Sequence, residues 1–231
     1  MKTQNQNQTE EVKIKDAKTN TELYVQLGII AILALVIVFN AGKIYSSSGA
    51  SGVTGLATGI ELVSASDIIP KGTPAVYGKE LGVKYDDVSP NNLALAEATI
   101  SKLTQYEDMG LNNEQMQRYI KIGSLISCEY CCGAEAIIFS NGERACGCAH
   151  SFAMRGLAKY LLTKHPNMSD ENILSELGKW KVLFFPGIHE QKAQVLKSQG
   201  IDPTNYINLA SNLYRGIEQG QASGSGMVGG C

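Results

Sequence analysis

Cysteine and histidine side chains are concentrated in one short part of this chain. Two groups, Cys-x-x-Cys-Cys and Cys-x-Cys-x-His, are separated by thirteen residues. Thiolate sulfur and imidazole nitrogen are the ligands that soft metal ions prefer in proteins. The sequence therefore predicts a metal site with six candidate ligands: Cys128, Cys131, Cys132, Cys146, Cys148 and His150.

A chain reversal is needed to bring the two groups together. Asn141-Gly142 lies between them and is flanked by apolar, β-prone residues. This pattern predicts a small β-hairpin, because a type I′ turn needs positive φ at both central positions. The second group directly precedes a predicted helix, whose N-terminal partial positive charge favours thiolate over thiol.

The number of donors leaves the identity of the metal open. Six donors exceed the four of a structural zinc site, and the spacing differs from that of a zinc ribbon. The predicted bound metal is a copper or zinc ion, and an iron-sulfur cluster is less favoured. The predicted function is the binding of such a soft metal ion.

Two other functions are compatible with the same cysteines. In a disulfide-stabilised structural or interaction module, Cys131 or Cys132 would pair with Cys146 or Cys148 across the turn. In a thiol-disulfide redox or electron-transfer protein, Cys128 and Cys131 would form a redox Cys-x-x-Cys motif. The thioredoxin-like sequence context of that motif is absent from this sequence.

An apolar segment without charged residues spans residues 23–41. At about 1.5 Å per residue it matches the roughly 30 Å hydrocarbon layer, so it predicts a single transmembrane helix. Four lysines precede this segment and only Lys43 closely follows it. The positive-inside rule then predicts a cell-membrane protein with a cytoplasmic tail, residues 1–22, and an external C-terminal domain. A cleaved signal peptide is the alternative.

The remaining sequence predicts a mostly α-helical domain. Residues 42–59 form a Ser/Gly linker, residues 60–88 an extended arm interrupted by Pro and Gly, and residues 220–231 a flexible tail. The helical domain spans residues 89–219, with its first helix starting at Ser89 and stopping at Gly110. Further helices are predicted over 113–126, 150–164, 169–185, 189–198 and 204–218. Met227 and Cys231 in the tail are left open as additional metal ligands.

Composition and motifs exclude several functions. The net charge of -2 and the isoelectric point near 6.0 show no basic excess, so nucleic acid is not a predicted partner. No catalytic Ser/His/Asp set, phosphate-binding loop or carboxylate pair is recognisable. His165 and His189 are predicted at helix ends, and Met154 is predicted in the core.

The cysteine segment resembles a known family. Cys128-Glu-Tyr-Cys-Cys-Gly133 followed by Cys146-Gly-Cys148 and a helix is similar to the extracytoplasmic PCYCGC-motif proteins, over residues 127–175. The resemblance implies a membrane-attached protein of the cell envelope that binds metal through its cysteines. This sequence departs from the family pattern because no Pro precedes Cys128 and the Cys-Tyr-Cys-Gly-Cys string is interrupted.

Overall fold

The computed structural model describes Ile30, residues 62–219 and residues 227–229. In this part of the chain, no helix has both the length and the apolar character needed to cross a bilayer. The predicted transmembrane helix, residues 23–41, lies outside the described residues except for Ile30, as do the predicted segments 1–22 and 42–59. The structure therefore does not support the predicted cell-membrane location, and that prediction is not carried further.

The described chain is mostly helical, as predicted. Its α-helices in chain order are α1 (Ala65–Ile68), α2 (Gly78–Leu81), α3 (Leu93–Thr104), α4 (Asn113–Gly123), α5 (Glu129–Cys132), α6 (Ala149–Lys164), α7 (Asp170–Phe184), α8 (Pro186–Ser198) and α9 (Tyr206–Ala210). Short 3₁₀ turns cover Tyr85–Asp87 and Asn212–Tyr214. Helices α1 and α2 and the first 3₁₀ turn lie within the segment that the sequence predicted as an extended arm.

Helix starts follow their capping residues. The Ser169 side chain caps α7 as predicted, accepting a hydrogen bond from the backbone N–H of Asn172 at 3.2 Å. Helix α3 starts later than predicted, because Asn92 rather than Ser89 provides the cap. The Asn92 N–H donates to the Ser89 carbonyl at 3.2 Å, so the Ser-Pro pair forms a turn before the helix.

The predicted Cys-bearing β-hairpin is wrong. Between the two cysteine groups the chain does reverse, but the described residues contain only an isolated antiparallel bridge between Ile138 and Arg144. Backbone groups that would extend a ladder have other partners, since the Ile137 N–H donates to Ile126 at 3.0 Å. Gly142, with φ 84°, closes a three-residue loop instead of the predicted two-residue turn.

Helix α6 is the central element and contacts α3, α4 and α7. Helix α3 crosses it closely at Gly156, where an added Cβ would lie 2.1 Å from the Leu103 carbonyl oxygen. Apolar side chains of α6 and α7, including Leu157, Leu161 and Trp180, are fully buried between the helices. This packing fixes the N-terminal end of α6, where the second cysteine group lies.

The last predicted helix, over 204–218, is interrupted after Ala210. Asn212 leaves the helical path because it binds the cysteine-bearing loop. Its backbone N–H donates to the Leu125 carbonyl at 2.8 Å, and its side chain donates to the Glu135 carbonyl at 2.8 Å. The C-terminal segment therefore supports the loop through Asn212.

Candidate metal centre

Cys148 is the sulfur at the middle of the site. It is the N-cap of α6, and its Sγ accepts a hydrogen bond from the Ser151 N–H at 3.4 Å. Its Sγ lies 3.2 Å from the Sγ of Cys128 and 3.4 Å from that of Cys146. The start of one helix therefore brings together sulfur atoms from both cysteine groups.

The cysteines are present in two redox states. Cys132 and Cys146 form a disulfide with their Cα atoms 6.8 Å apart, which confirms the predicted pairing across the turn for these two residues. Cys131 is also disulfide-bonded. Cys128 and Cys148 are free thiols and are both buried. Gly133, with φ 68°, ends α5 and turns the chain directly after the first group.

His150 adds a nitrogen donor from the first turn of α6. Its side chain is fully buried, and the ring packs at centroid distances of 4.7 Å on Phe184 and 5.0 Å on Phe185. Nε2 lies 2.8 Å from the Val228 carbonyl oxygen, which can only accept, so Nε2 carries the proton. Nδ1 is buried and has no hydrogen-bond partner among the described residues. With Nε2 directed at Val228, Nδ1 is the ring nitrogen that remains for a metal ion.

The pKa values of the two free thiols are shifted in opposite directions. Its hydrogen bond with the Cys128 thiol lowers the pKa of Cys148 below its usual value, and hydrogen bonds from Ser151 act in the same direction against the effect of burial. The pKa of Cys128 is raised, first by its hydrogen bond to Cys148 and then by burial. The environment therefore favours the thiolate at Cys148, which also accepts from the Ser151 N–H at the start of α6, over the thiolate at Cys128.

The predicted ligands converge into two groups that share Cys148. Ligand atoms of Cys128, Cys131, Cys148 and His150 lie within 4.8 Å of one another, and so do those of Cys132, Cys146 and Cys148. The sulfur ligands of a tetrahedral zinc ion, at about 2.3 Å from the metal, are about 3.8 Å apart. Movements on the order of 1 Å would therefore convert the first group into a tetrahedral site.

Buried arginine and lysine side chains hold the loops that carry the cysteines. Arg155 is fully buried, and its Nη1 donates to the carbonyls of Ile137 and Cys146, both at 2.9 Å. Arg155 also forms an ion pair with Glu107. On the other loop, the Lys181 ammonium lies 2.9 Å from Glu129, the residue after Cys128.

These supporting residues were not predicted, and only some of them can be recognised in the sequence. Lys181 lies four residues after Leu177, so a charged residue stands on the predicted apolar stripe of α7. The role of the Val228 carbonyl as acceptor for His150 cannot be recognised in the sequence, because every residue has a backbone carbonyl. His189 lies near the start of α8 and is fully buried, while Met154 lies in the core as predicted.

An open groove approaches the site from solvent. A cavity of about 570 Å³ lies between α3 and the start of α6, with Ile100 and Thr104 on one side. On the other side it is lined by Gly147 and Ala149, which flank Cys148, and by Phe152. Gly147 is exposed, and a Cβ at this position would meet nothing within 4 Å. The groove therefore passes beside the start of α6, and none of the candidate ligands is among its lining residues.

Comparison with known protein families, with curated proteins and with solved structures finds no match to this chain. The resemblance to the PCYCGC-motif proteins therefore stays a prediction. Inference about function depends on the geometry around Cys148 and His150.

Proposed function

We propose that this protein binds one soft metal ion through Cys128, Cys148 and His150, with Cys131 as the fourth ligand once its disulfide is reduced. The observation that carries the proposal is His150. A ligating histidine usually donates its other ring N–H to a backbone carbonyl or a carboxylate, which leaves the second nitrogen for the metal. His150 donates from Nε2 to Val228, and its buried Nδ1 has no hydrogen bond among the described residues.

Zinc is the ion that this donor set fits best. Three thiolates and one imidazole are a common tetrahedral zinc set, and copper(I) is the second candidate because it prefers soft sulfur at lower coordination number. Burial of Cys128, Cys148 and His150 keeps water away from three of the four ligands. A metal ion there would neutralise the Cys148 thiolate and satisfy His150 Nδ1.

The test is metal binding by the full-length chain. The protein would be stripped of metal, reduced, freed of reductant under anaerobic conditions, and titrated with zinc against a chromophoric chelator. We expect a tight stoichiometric site, and a loss of affinity on the order of 10- to 100-fold or more for His150→Asn. His165→Asn is the matched control, since His165 contacts Glu80 and lies outside both ligand groups. Zinc affinity that is unchanged in His150→Asn would contradict the proposal.

A second candidate function is thiol-disulfide exchange, and the position of Cys148 favours it. The Cys148 sulfur lies 3.4 Å from Cys146, which is disulfide-bonded to Cys132. Attack of the Cys148 thiolate on the Cys146 sulfur forms a Cys146–Cys148 disulfide and releases Cys132 as the thiolate, with no external oxidant.

Alkylation and peptide mapping of the oxidised protein would detect this exchange. At mildly alkaline pH we expect a fraction of molecules with Cys132 alkylated and Cys146 joined to Cys148. If Cys132 stays protected over hours, exchange does not take place in this site. That result would leave the proposed metal binding unaffected.

A further inference from the structure

We infer that Cys132, Cys146 and Cys148 form a second metal site, which shares the Cys148 sulfur with the first site. This site becomes available to a metal ion when the Cys132–Cys146 disulfide is reduced. This inference rests on the proposed metal-binding function. Its starting point is the second ligand group, in which the sulfur atoms of Cys132, Cys146 and Cys148 lie within 4.8 Å of one another. A disulfide and a bound metal ion are alternative uses of the same two sulfur atoms.

The position of Cys148 makes it the bridging ligand. Its sulfur lies between the two groups, 3.2 Å from Cys128 in the first and 3.4 Å from Cys146 in the second. A thiolate has enough lone pairs to bind two metal ions at once. With metal–sulfur bonds of about 2.3 Å, two ions on one sulfur would lie roughly 3.3–3.8 Å apart. The six predicted ligands then serve two ions, which accounts for their excess over a single tetrahedral site.

The loops that carry Cys132 and Cys146 are held in place without the disulfide. Arg155 donates to the Cys146 carbonyl at 2.9 Å from within the core. Arg215 donates to the Ala134 carbonyl at 3.0 Å and to the Gly133 carbonyl at 3.1 Å, directly after Cys132. These contacts keep the two sulfur atoms near Cys148 after the S–S bond is broken. Reduction therefore frees the sulfur atoms of Cys132 and Cys146 beside that of Cys148, as a preformed group of three potential ligands.

The opening step needs a dithiol reductant. One dithiol molecule supplies two electrons and two protons, converts the disulfide into two thiols, and is itself oxidised to a disulfide. Cys132 is exposed, so a reductant can reach this bond, whereas Cys146 is 6% exposed. Metal binding then displaces the protons from the two new thiols. The redox state of Cys132 and Cys146 therefore decides whether the second site can bind a metal ion.

The experiment compares oxidised and reduced full-length protein titrated with cobalt(II) under anaerobic conditions. Cobalt(II) is a paramagnetic probe for zinc-type sites. We expect at most one cobalt ion per oxidised chain and two per reduced chain. The electron paramagnetic resonance signal should rise with the first equivalent and fall with the second, because a shared thiolate couples the spins of the two ions. The reduced double variant Cys132→Ser/Cys146→Ser should bind one ion with an undiminished signal.

The other possible outcomes each contradict one specific claim about metal binding. One cobalt ion per reduced wild-type chain overturns the second site and leaves the proposed function intact. Two ions with an undiminished signal overturn the sharing of Cys148. No cobalt or zinc bound to either form contradicts the proposed function itself. The comparison of oxidised and reduced wild type requires no substitution, so it does not depend on the folding of a variant.

Discussion

Arg155 links the core to the metal centre, and its replacement by methionine tests that role. The guanidinium is fully buried, pairs with Glu107 and holds the Ile137 and Cys146 carbonyls. Breaking a buried pair by removing one partner usually costs about 3–5 kcal/mol, because the other charge stays buried without compensation. Here Arg144 remains 2.9 Å from Glu107 and offsets part of that cost. The lost carbonyl hydrogen bonds add about 1 kcal/mol or more.

We therefore expect Arg155→Met to lower the free energy of unfolding by about 3–5 kcal/mol. Urea unfolding followed by fluorescence is suitable, since Trp180 is the only tryptophan of the chain and is fully buried. With a urea dependence of about 2–3 kcal/mol per molar, the midpoint should fall by about 1–2 M. The same variant should weaken the binding of the second metal ion more than that of the first.

Arg144→Met is the matched control. Arg144 contacts the same Glu107 carboxylate and the same Phe152 ring, but its side chain is 51% exposed. Its removal should cost less than about 1 kcal/mol. Adding Glu107→Gln to Arg155→Met should recover part of the lost stability, because the uncompensated charge is then removed. Equal destabilisation by the two arginine substitutions would refute this account.

Further predictions concern two glycines and one lysine. Gly156→Ala should destabilise the protein by about 1–3 kcal/mol or more in urea unfolding, because its Cβ would lie 2.1 Å from a backbone oxygen of α3. Gly187→Ala is the control and should be neutral or stabilising, because a Cβ there meets nothing within 4 Å. Gly200→Ala places alanine at positive φ with nothing within 4 Å of its Cβ and should cost about 1–2 kcal/mol. Gly229→Ala adds to the same backbone cost a Cβ 2.5 Å from Ile100 Cδ1, so it should cost more. Because this clash shifts the backbone next to Val228, whose carbonyl accepts from His150, only Gly229→Ala should also reduce zinc affinity in the chelator titration. Burial lowers the pKa of Lys192 to about 8 from 10.5, so the unfolded chain binds more protons than the native protein between these values. The unfolding free energy of wild type minus that of Lys192→Met should therefore rise by on the order of 3 kcal/mol from pH 8 to 10.5. A difference that does not change over this pH range would contradict the lowered pKa of Lys192.

Local sequence signals predicted most of the longer helices and the cysteine residues that lie close together. Ser169 marked the start of α7, and the cysteine spacing marked residues that do converge at the start of α6. These predictions worked because capping and ligand type depend on residues close in sequence. The disulfide between Cys132 and Cys146 was one of several pairings that the sequence allowed.

Other features depend on contacts between distant parts of the chain. The hairpin failed because the Ile137 N–H donates to Ile126, a contact that no local pattern contains. The Ile137 carbonyl accepts both from the Ala145 N–H across the turn and from Arg155. The last helix breaks because Asn212 binds Leu125 and Glu135 instead of continuing the helix. The role of His150 depends on Val228, 78 residues later in the chain. Tertiary hydrogen bonds decided each of these cases against the local preference.

Between the two cysteine groups, Arg155 and Arg215 bind the chain through backbone carbonyls, at Ile137, Gly133 and Ala134, and Arg155 also binds the Cys146 carbonyl. A carbonyl is present whatever the side chain, so most single substitutions at the exposed positions between the cysteine groups leave these contacts in place. An insertion or deletion there would shift the carbonyls away from the guanidinium groups. The segment between the two cysteine groups should thus tolerate changes in composition and resist changes in length, which a library of loop variants selected for zinc retention would show.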